Sequence, residues 1–294
     1  MTGPSTESTA RRMWHLIETI HAIVYFAPEV SAHYEDLGLK GFWMGYFAGR
    51  AAPLGAATPE LVTATFFNFH PDMVARALPD AWQIADPKTI LGTRNRAVDE
   101  ALQRILGDSL TTAGMVETAE LLEHAVAGTS LAGRPLFAAH ASLTPPTSPR
   151  LRLWHAATLI REHRGDGHIA AQLAHGFTGL DAHITLCATG TMPRPTIQPH
   201  RGWSDDEWEN ATQQLYERGL LDDAGSLSDA GRAARASVEE RTDQLATGPW
   251  HRLGADGTTR AAELLTPIAG AVVVSGALPF PNPMGLPAPR SDRR

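Results

Sequence analysis

The sequence has little cysteine, almost no lysine and no long hydrophobic run, and each shortage narrows the choice of protein class. Its one cysteine, Cys187, excludes an internal disulfide, which is usual in a reducing compartment. The first ten residues lack the apolar core of a signal peptide. The apolar stretch 268–280 is short and ends in proline, which favours a buried helix over a membrane span. We therefore expect a cytoplasmic protein that does not enter a membrane.

The motifs of several common enzyme classes are missing as well. The chain has no Cys-x-x-Cys, no His-Glu-x-x-His, no Gly-x-Ser-x-Gly and no Rossmann glycine fingerprint. Gly45-x-x-x-Gly49 lacks the Lys-Ser/Thr of a phosphate loop. The sequence therefore gives no support for zinc-peptidase, serine-nucleophile or dinucleotide chemistry. No motif indicates a cofactor.

What the chain does have is the size and apolar content of a folded protein. Its 294 residues are 43% hydrophobic, enough for a substantial core and about two domains. The formal net charge of −7 gives no overall attraction to nucleic acid or to an anionic membrane.

Three short motifs occur twice in the same order, at offsets of 138 to 143 residues. The pairs are Trp14-His15 with Trp154-His155, Gly38 and Gly41 with Gly176 and Gly179, and Ala119-Glu120-Leu121-Leu122 with Ala262-Glu263-Leu264-Leu265. Matches that keep both order and spacing indicate a tandem duplication. Two such halves, packed about a pseudo-two-fold axis, would enclose a cleft.

The repeats and the proline pattern together predict the domain boundaries. Residues 143–150 have the composition of a linker, because they include three prolines. This linker separates a first half, 10–142, from a second half, 151–277. We expect a disordered tail at 1–9 and a Pro-rich arm with a disordered end at 278–294.

Helix start and stop signals are frequent within both halves. Thr58-Pro59 predicts a helix start, and Ser204 with Glu207 has the pattern of a capping box. Gly219 is expected to end the helix that this box begins. A small β-hairpin at about 220–230 and a helix through Leu245 follow it.

A helix, a short hairpin and a long helix form the outline of a winged helix. Residues 204–245 resemble the second half of a MarR-like winged helix-turn-helix domain. The whole chain also resembles an actinobacterial family that carries a helix-turn-helix label, most clearly at 153–171 and 202–206. We therefore predict a mainly α fold, a tandem pseudo-two-fold duplication of winged-helix-like halves with small β-hairpin wings. The wing of the first half, at 85–93, is degenerate. The resemblance implies this scaffold and no particular activity.

The charge pattern argues against DNA binding by this scaffold. The helix that follows Ser204 carries Asp205, Asp206, Glu207 and Glu209 in its first turns. In a DNA groove rimmed by phosphates, the electrostatic repulsion of these carboxylates exceeds their favourable interaction with the helix dipole. The counterpart 66–69, Phe-Phe-Asn-Phe, is suited to burial. DNA binding is therefore the alternative rather than the preferred interpretation.

Charged side chains and histidines are densest at 161–168. Arg161 and Arg164 can hold an anionic or carbonyl-bearing molecule, because a guanidinium matches carboxylate geometry. His163 and His168, oriented by Asp166, can then move a proton and act as catalytic residues.

Two glycines in this segment, Gly165 and Gly167, are expected to break the helix, with His168 at the start of the next one. The aligned segment of the first half would supply the opposite wall of the cleft. The alignment sets His21 opposite Arg161, and the other ligand-binding residues predicted on this wall are Tyr25, Glu29 and Arg50.

Two other interpretations of this segment stay open. In the first, its charges form a structural salt-bridge network, and its histidines cap helix ends. In the second, His155, His163 and His168 bind a transition metal, or one of them binds haem, although their spacing matches no recognised ligand pattern.

The sequence thus predicts a small-molecule-binding protein on a repurposed winged-helix scaffold. Acid–base chemistry by His and Asp in the cleft would make it an enzyme. The alternative is a ligand-responsive MarR-like transcriptional regulator. The ligand, the reaction and the formation of a homodimer are left open.

Overall fold

The computed structural model describes residues 8–107 and 111–287. Over these residues the regular secondary structure is helical, which confirms the predicted mainly α class. Two short 3-10 helices, Ala52–Leu54 and Gln198–His200, accompany the α-helices. The α-helices are α1 (Thr9–His21), α2 (Ile23–Phe26), α3 (Pro28–Asp36), α4 (Gly41–Ala51), α5 (Pro59–Phe66), α6 (Pro71–Ala75), α7 (Asp80–Ile84), α8 (Pro87–Leu106), α9 (Thr112–Val126), α10 (Pro135–Ala141), α11 (Pro149–Ala174), α12 (Gly179–Cys187), α13 (Arg194–Ile197), α14 (Asp205–Glu217), α15 (Asp229–Leu245) and α16 (Gly248–Val274).

Several helices begin and end at residues that the sequence marks. The Thr58 hydroxyl accepts a backbone N–H at the start of α5, and Pro59 occupies the first helical position. Ser204 and Glu207 form the predicted capping box of α14. Gly219 follows this helix with a φ of +70°, a conformation that favours glycine. These local predictions are confirmed.

Four helices, α1, α9, α11 and α16, form the centre of the fold. α1 and α9 each pack against both α11 and α16. Met13, Leu122, Trp154 and Leu265, one from each helix, are buried in the shared core. On the flanks, α3 packs on α8, and α15 packs on α11. None of the described helices is long and apolar enough to cross a membrane.

α11 is one continuous helix, which corrects the predicted break at Gly165 and Gly167. It begins at Pro149, inside the predicted linker, and His168 lies within it rather than at a new helix start. Gly167 instead allows close packing, because a Cβ atom at this position would lie 2.8 Å from a guanidinium nitrogen of Arg134. Tertiary packing of this kind overrides the low helix propensity of glycine. The charged residues of 161–168 are therefore distributed around one helix.

The predicted β-hairpin wings are reduced to a single antiparallel bridge between Leu221 and Leu227. Neither described range contains a strand. The Asp222 side chain accepts two backbone N–H groups within the turn, so these groups are not available to a longer ladder. In the first half, the expected wing 85–93 lies mostly in α8 and forms no hairpin.

Both ends of the described chain pack onto the fold. Ser8 caps α1, which begins at Thr9 within the predicted tail 1–9, and residues 1–7 lie outside the described ranges. Leu278 and Leu286 are buried in the main core, so the first part of the predicted arm is packed rather than laid over the surface. Residues 288–294, predicted to be disordered, also lie outside the described ranges.

Candidate functional site

A small cavity lies where α1 to α4 meet α8, α10 and α11. Its volume of about 20 Å³ is enough for one or two water molecules. Both predicted halves contribute to the wall, which mixes aromatic rings with charged groups as small-molecule sites do. The lining residues are His21, Val24, Tyr25, Tyr34, Gly45, Tyr46, Gly49, Arg50, Arg94, His140, Trp154 and Glu162.

Helix α4 approaches its neighbour closely because two of its positions lack side chains. A Cβ atom at Gly49 would lie 2.0 Å from the Tyr34 hydroxyl oxygen, and one at Gly45 would lie 2.7 Å from the Tyr34 ring. The two glycines therefore make room for the Tyr34 side chain. Burial raises the pKa of this phenol to about 12. Its hydroxyl has no hydrogen-bond partner among the described residues.

A chain of hydrogen bonds fixes His21 on one side of the cavity. The Thr158 hydroxyl donates to the Trp154 carbonyl oxygen (2.9 Å), so its own oxygen accepts from His21 Nδ1–H (3.0 Å). His21 Nε2 then accepts from the Tyr25 hydroxyl (2.9 Å). Burial, reinforced by Arg161, holds the pKa of His21 well below its usual value. His21 is therefore a neutral imidazole at pH 7.

Glu162 is the central carboxylate of the site. Its Oε2 lies 2.8 Å from Arg161 Nη1 and 3.7 Å from Arg50 Nη2, and Arg161 also pairs with Glu18 at 3.2 Å. Burial alone would raise the pKa of Glu162, but Arg161 and Arg50 hold it well below its usual value. The group is therefore ionised at neutral pH. Its Oε1 has no partner in the part of the chain that the structure describes.

Arg94 is a buried cation without a carboxylate of its own. The residue is 3% exposed, and its Nη1 donates to the Gly49 carbonyl oxygen at 3.0 Å. Its guanidinium carbon lies 5.2 Å from the centre of the Trp154 ring. Glu162 is the one carboxylate whose charge reaches it, and that group already contacts Arg50 and Arg161. Over 8–107 and 111–287, Arg94 forms no ion pair and its Nε has no hydrogen-bond partner.

Three residues predicted from the first half, His21, Tyr25 and Arg50, line this cavity. Arg161, predicted to face them, reaches the cavity through its contact with Glu162. Arg161 itself does not line the cavity.

The other two predicted ligand-binding residues make ion pairs outside this lining. Arg164 Nη2 lies 2.8 Å from Asp243 Oδ1, and the Arg164 guanidinium lies over the Trp14 ring. Arg164 and Arg161 line a second, mainly apolar cavity of about 10 Å³. Glu29 pairs with Arg104, where α3 packs on α8.

The predicted catalytic residues His163, Asp166 and His168 lie on α11 but do not line the cavity. The His163 ring lies edge-on to Phe137, with 5.2 Å between ring centres, and Asp166 Oδ2 accepts from the Phe137 backbone N–H at 2.9 Å. His168 Nδ1–H donates to the Thr242 hydroxyl at 2.9 Å, because that hydroxyl donates to a backbone carbonyl. The Gln172 amide donates to His168 Nε2 at 2.5 Å.

Burial separates the protonation behaviour of these three groups. It lowers the pKa of His163 and of His168 to about 4, so both imidazoles are neutral at pH 7. It raises the pKa of Asp166 to about 6. Asp166 is therefore the member of the set that titrates closest to neutrality.

The three histidines weighed as metal ligands do not converge on one point. Among the residues that the structure describes, no group of three or more His, Cys, Asp or Glu side chains is placed to hold a metal ion. His163 and His168 have the separate contacts given above. Burial and the field of Arg94 lower the pKa of His155 to about 4.

Sequence reasoning did not predict that Arg94, His140 and Glu162 line this cavity. His140 is neutral, because its Nδ1–H donates to a backbone carbonyl at 2.9 Å and burial lowers its pKa to about 3. A signal for Arg94 did exist, since it lies one turn from Ile90 and from Val98 in the apolar stripe of α8. A charged residue in such a stripe points to a buried polar site.

The surface that a winged helix would present to DNA is acidic. Asp205, Asp206 and Glu209 are exposed on α14, which contains no basic residue. Asp222 and Asp223 are exposed in the turn that replaces the wing. The structure therefore leaves in place the repulsion from phosphates that the sequence predicts.

Comparison with known sequences identifies the family. The profile of a helix-turn-helix family matches residues 10–279, so the chain belongs to that family. No curated protein and no solved structure matches the chain significantly. Membership agrees with the helical fold. It assigns no ligand, because function is carried by sites rather than by folds.

Proposed function

We propose that this protein binds a small molecule in the cavity between two halves of a duplicated, MarR-like winged-helix scaffold. One observation carries the proposal: four residues that line the cavity each have a buried polar atom without a hydrogen-bond partner among the residues described. These atoms are Tyr34 Oη, Arg50 Nε, Arg94 Nε and Glu162 Oε1. An unsatisfied buried polar group costs about 1–3 kcal/mol, and a charged one costs more. Four of them around one cavity favour a ligand that bonds to them.

The packing pattern supports two related halves. Shifted by the offset of the repeated motifs, α1 falls at the start of α11 and α3 at its end. In the same way α8 falls at α15, and α9 falls at α16. The contact of α1 with α16 then corresponds to that of α11 with α9, and the contact of α3 with α8 corresponds to that of α11 with α15. A pseudo-two-fold axis relates contacts in such pairs. In this arrangement the cavity lies beside the contact of α1 with α11.

Native mass spectrometry of the protein purified from its own host tests the proposal. We expect a retained small molecule that denaturation releases, or a binder in a ligand-detected NMR screen. Tyr34→Phe removes one of the four atoms and should weaken that binding roughly threefold to tenfold. Tyr216→Phe, at an exposed position on α14, is the matched control and should bind as the native protein does. A clean apo mass with no binder in the screen would contradict the proposal.

Catalysis by His163, Asp166 and His168 is a further part of this proposal. Its support is Asp166, because a group with a pKa of about 6 exchanges protons readily near neutral pH. None of the three residues lines the cavity, so catalysis also requires the bound molecule to reach them beyond its wall. Asp166→Asn should abolish turnover of the bound molecule and leave its affinity unchanged. Equal turnover in the variant would leave the protein a binder rather than an enzyme of this kind.

A ligand-responsive MarR-like regulator that binds DNA is the second candidate. Membership of a helix-turn-helix family favours it, as does the order of α14, the Leu221–Leu227 bridge and α15. A pool of GC-rich fragments should then shift at low salt and lose its affinity steeply as salt rises. The acidic surface of α14 predicts no shift. Either candidate is expected in the cytoplasm, and formation of a homodimer is open to both.

A further inference from the structure

The charges around the cavity do not balance. Three guanidiniums, those of Arg50, Arg94 and Arg161, are associated with two carboxylates, Glu18 and Glu162. The nearby Asp166 adds no surplus negative charge, because the charge of Arg134 accompanies it. The histidines of the wall are neutral, so at the cavity one positive charge is left without a counter-charge. Arg201, a further buried guanidinium near Arg50 without a carboxylate among its described neighbours, does not line the cavity.

The surplus charge is located at Arg94. Arg94 lines the cavity, its side chain is buried and forms no ion pair within the described ranges, and its Nε has no hydrogen-bond partner there. Arg50 lines the same cavity, and its Nε also lacks a hydrogen-bond partner among the described residues. A buried cation of this kind is stabilised by a negative charge at hydrogen-bond distance, and a guanidinium suits a carboxylate best.

Glu162 adds a second requirement. Glu162 lines the same cavity, its Oε1 has no partner among the described residues, and an ionised carboxylate can only accept hydrogen bonds. A ligand that carried negative charge alone would be repelled by it. A hydroxyl donor next to the negative group of the ligand would satisfy Oε1.

We propose that the cavity binds a small hydroxy-carboxylate, whose carboxylate pairs with Arg94 and Arg50 and whose hydroxyl donates to Glu162. The volume of about 20 Å³ is that of one or two water molecules, so binding even the smallest member of this class requires side chains of the wall to move apart. The inference rests on the proposed function and adds the chemical class of the ligand to it.

Calorimetric titration of the full chain with glycolate and with its neutral isostere glycolamide tests the charge. We expect glycolate to bind at least roughly tenfold more tightly, since bonds to charged groups exceed neutral ones by about that factor. Acetate, which lacks the hydroxyl, should bind more weakly than glycolate. Equal or tighter binding of glycolamide, or no binding of glycolate, would overturn the inference. Binding of glycolamide or of another neutral molecule would leave the proposed function standing.

Two variants on α8 locate the interaction. Arg94→Gln should weaken glycolate binding roughly tenfold and leave glycolamide binding within about twofold. Arg96→Gln, at an exposed position two residues further along α8, should leave both unchanged. If Arg94→Gln does not fold, Arg94→Lys keeps the charge and should retain the preference for glycolate over glycolamide. A preference that survives unchanged in Arg94→Gln would overturn the assignment to Arg94.

Discussion

Glu162→Gln is expected to destabilise the protein by about 3–5 kcal/mol, the usual effect of removing one partner of a buried ion pair. The side chain is 1% exposed, and its carboxylate contacts Arg161 at 2.8 Å and Arg50 at 3.7 Å. Glutamine keeps the shape and removes the charge, so three guanidiniums would then face Glu18 alone. For a chain of this length the change corresponds to a fall in Tm of roughly 6–10 °C.

Urea unfolding at pH 7, followed by far-ultraviolet circular dichroism and tryptophan fluorescence, measures this loss. The matched control is Glu117→Gln, because Glu117 and Arg260 form an ion pair at 2.7 Å in which both side chains are more than 40% exposed. An exposed pair contributes about 0–1 kcal/mol, so the control should lose little. Equal losses in the two variants would refute the view that Glu162 holds the buried guanidiniums.

Two further outcomes follow from the same structure. Burial lowers the pKa of His140, His163 and His168 to between about 3 and about 4, below the value of an unfolded chain. Above about pH 6.5 these histidines are neutral in the folded and in the unfolded chain, so their titration does not change the stability. As pH falls towards 4 the unfolded chain binds more protons, and the free energy of unfolding falls by up to about 1.4 kcal/mol per pH unit for each group. Asp166, with a raised pKa, opposes this trend in part. A urea midpoint that does not change between pH 7 and pH 5 would contradict the reasoning. Separately, Gly49→Ala places a Cβ atom 2.0 Å from the Tyr34 hydroxyl and should destabilise the protein by about 1–3 kcal/mol. Gly270→Ala, exposed in α16 with no neighbour within 4 Å, should be neutral or stabilising, and thermal melts of the two variants compare them.

Local signals in the sequence predicted local structure correctly. The hydroxyls of Thr58 and Ser204 mark helix starts, and Gly219 marks a helix end, because capping depends on a few adjacent residues. Features of this range can be read without knowledge of the tertiary fold.

Predictions that depended on tertiary contacts were less successful. Gly167 has the propensity of a helix breaker, but the space it leaves for Arg134 keeps α11 continuous. The hairpin at 220–230 was overestimated, because the Asp222 side chain takes the backbone groups of the turn. Arg94 comes to the cavity from α8 and His140 from α10, far from the charged segment 161–168 in the chain. No local pattern brings these residues together.

A crystal structure of the protein grown with glycolate tests the central claim most directly. The account predicts density for a carboxylate within hydrogen-bond distance of Arg94 Nε and Arg50 Nε, with the ligand hydroxyl directed at Glu162 Oε1. Density in the cavity that fits only water at a saturating glycolate concentration, or glycolate bound only at the surface, would contradict it.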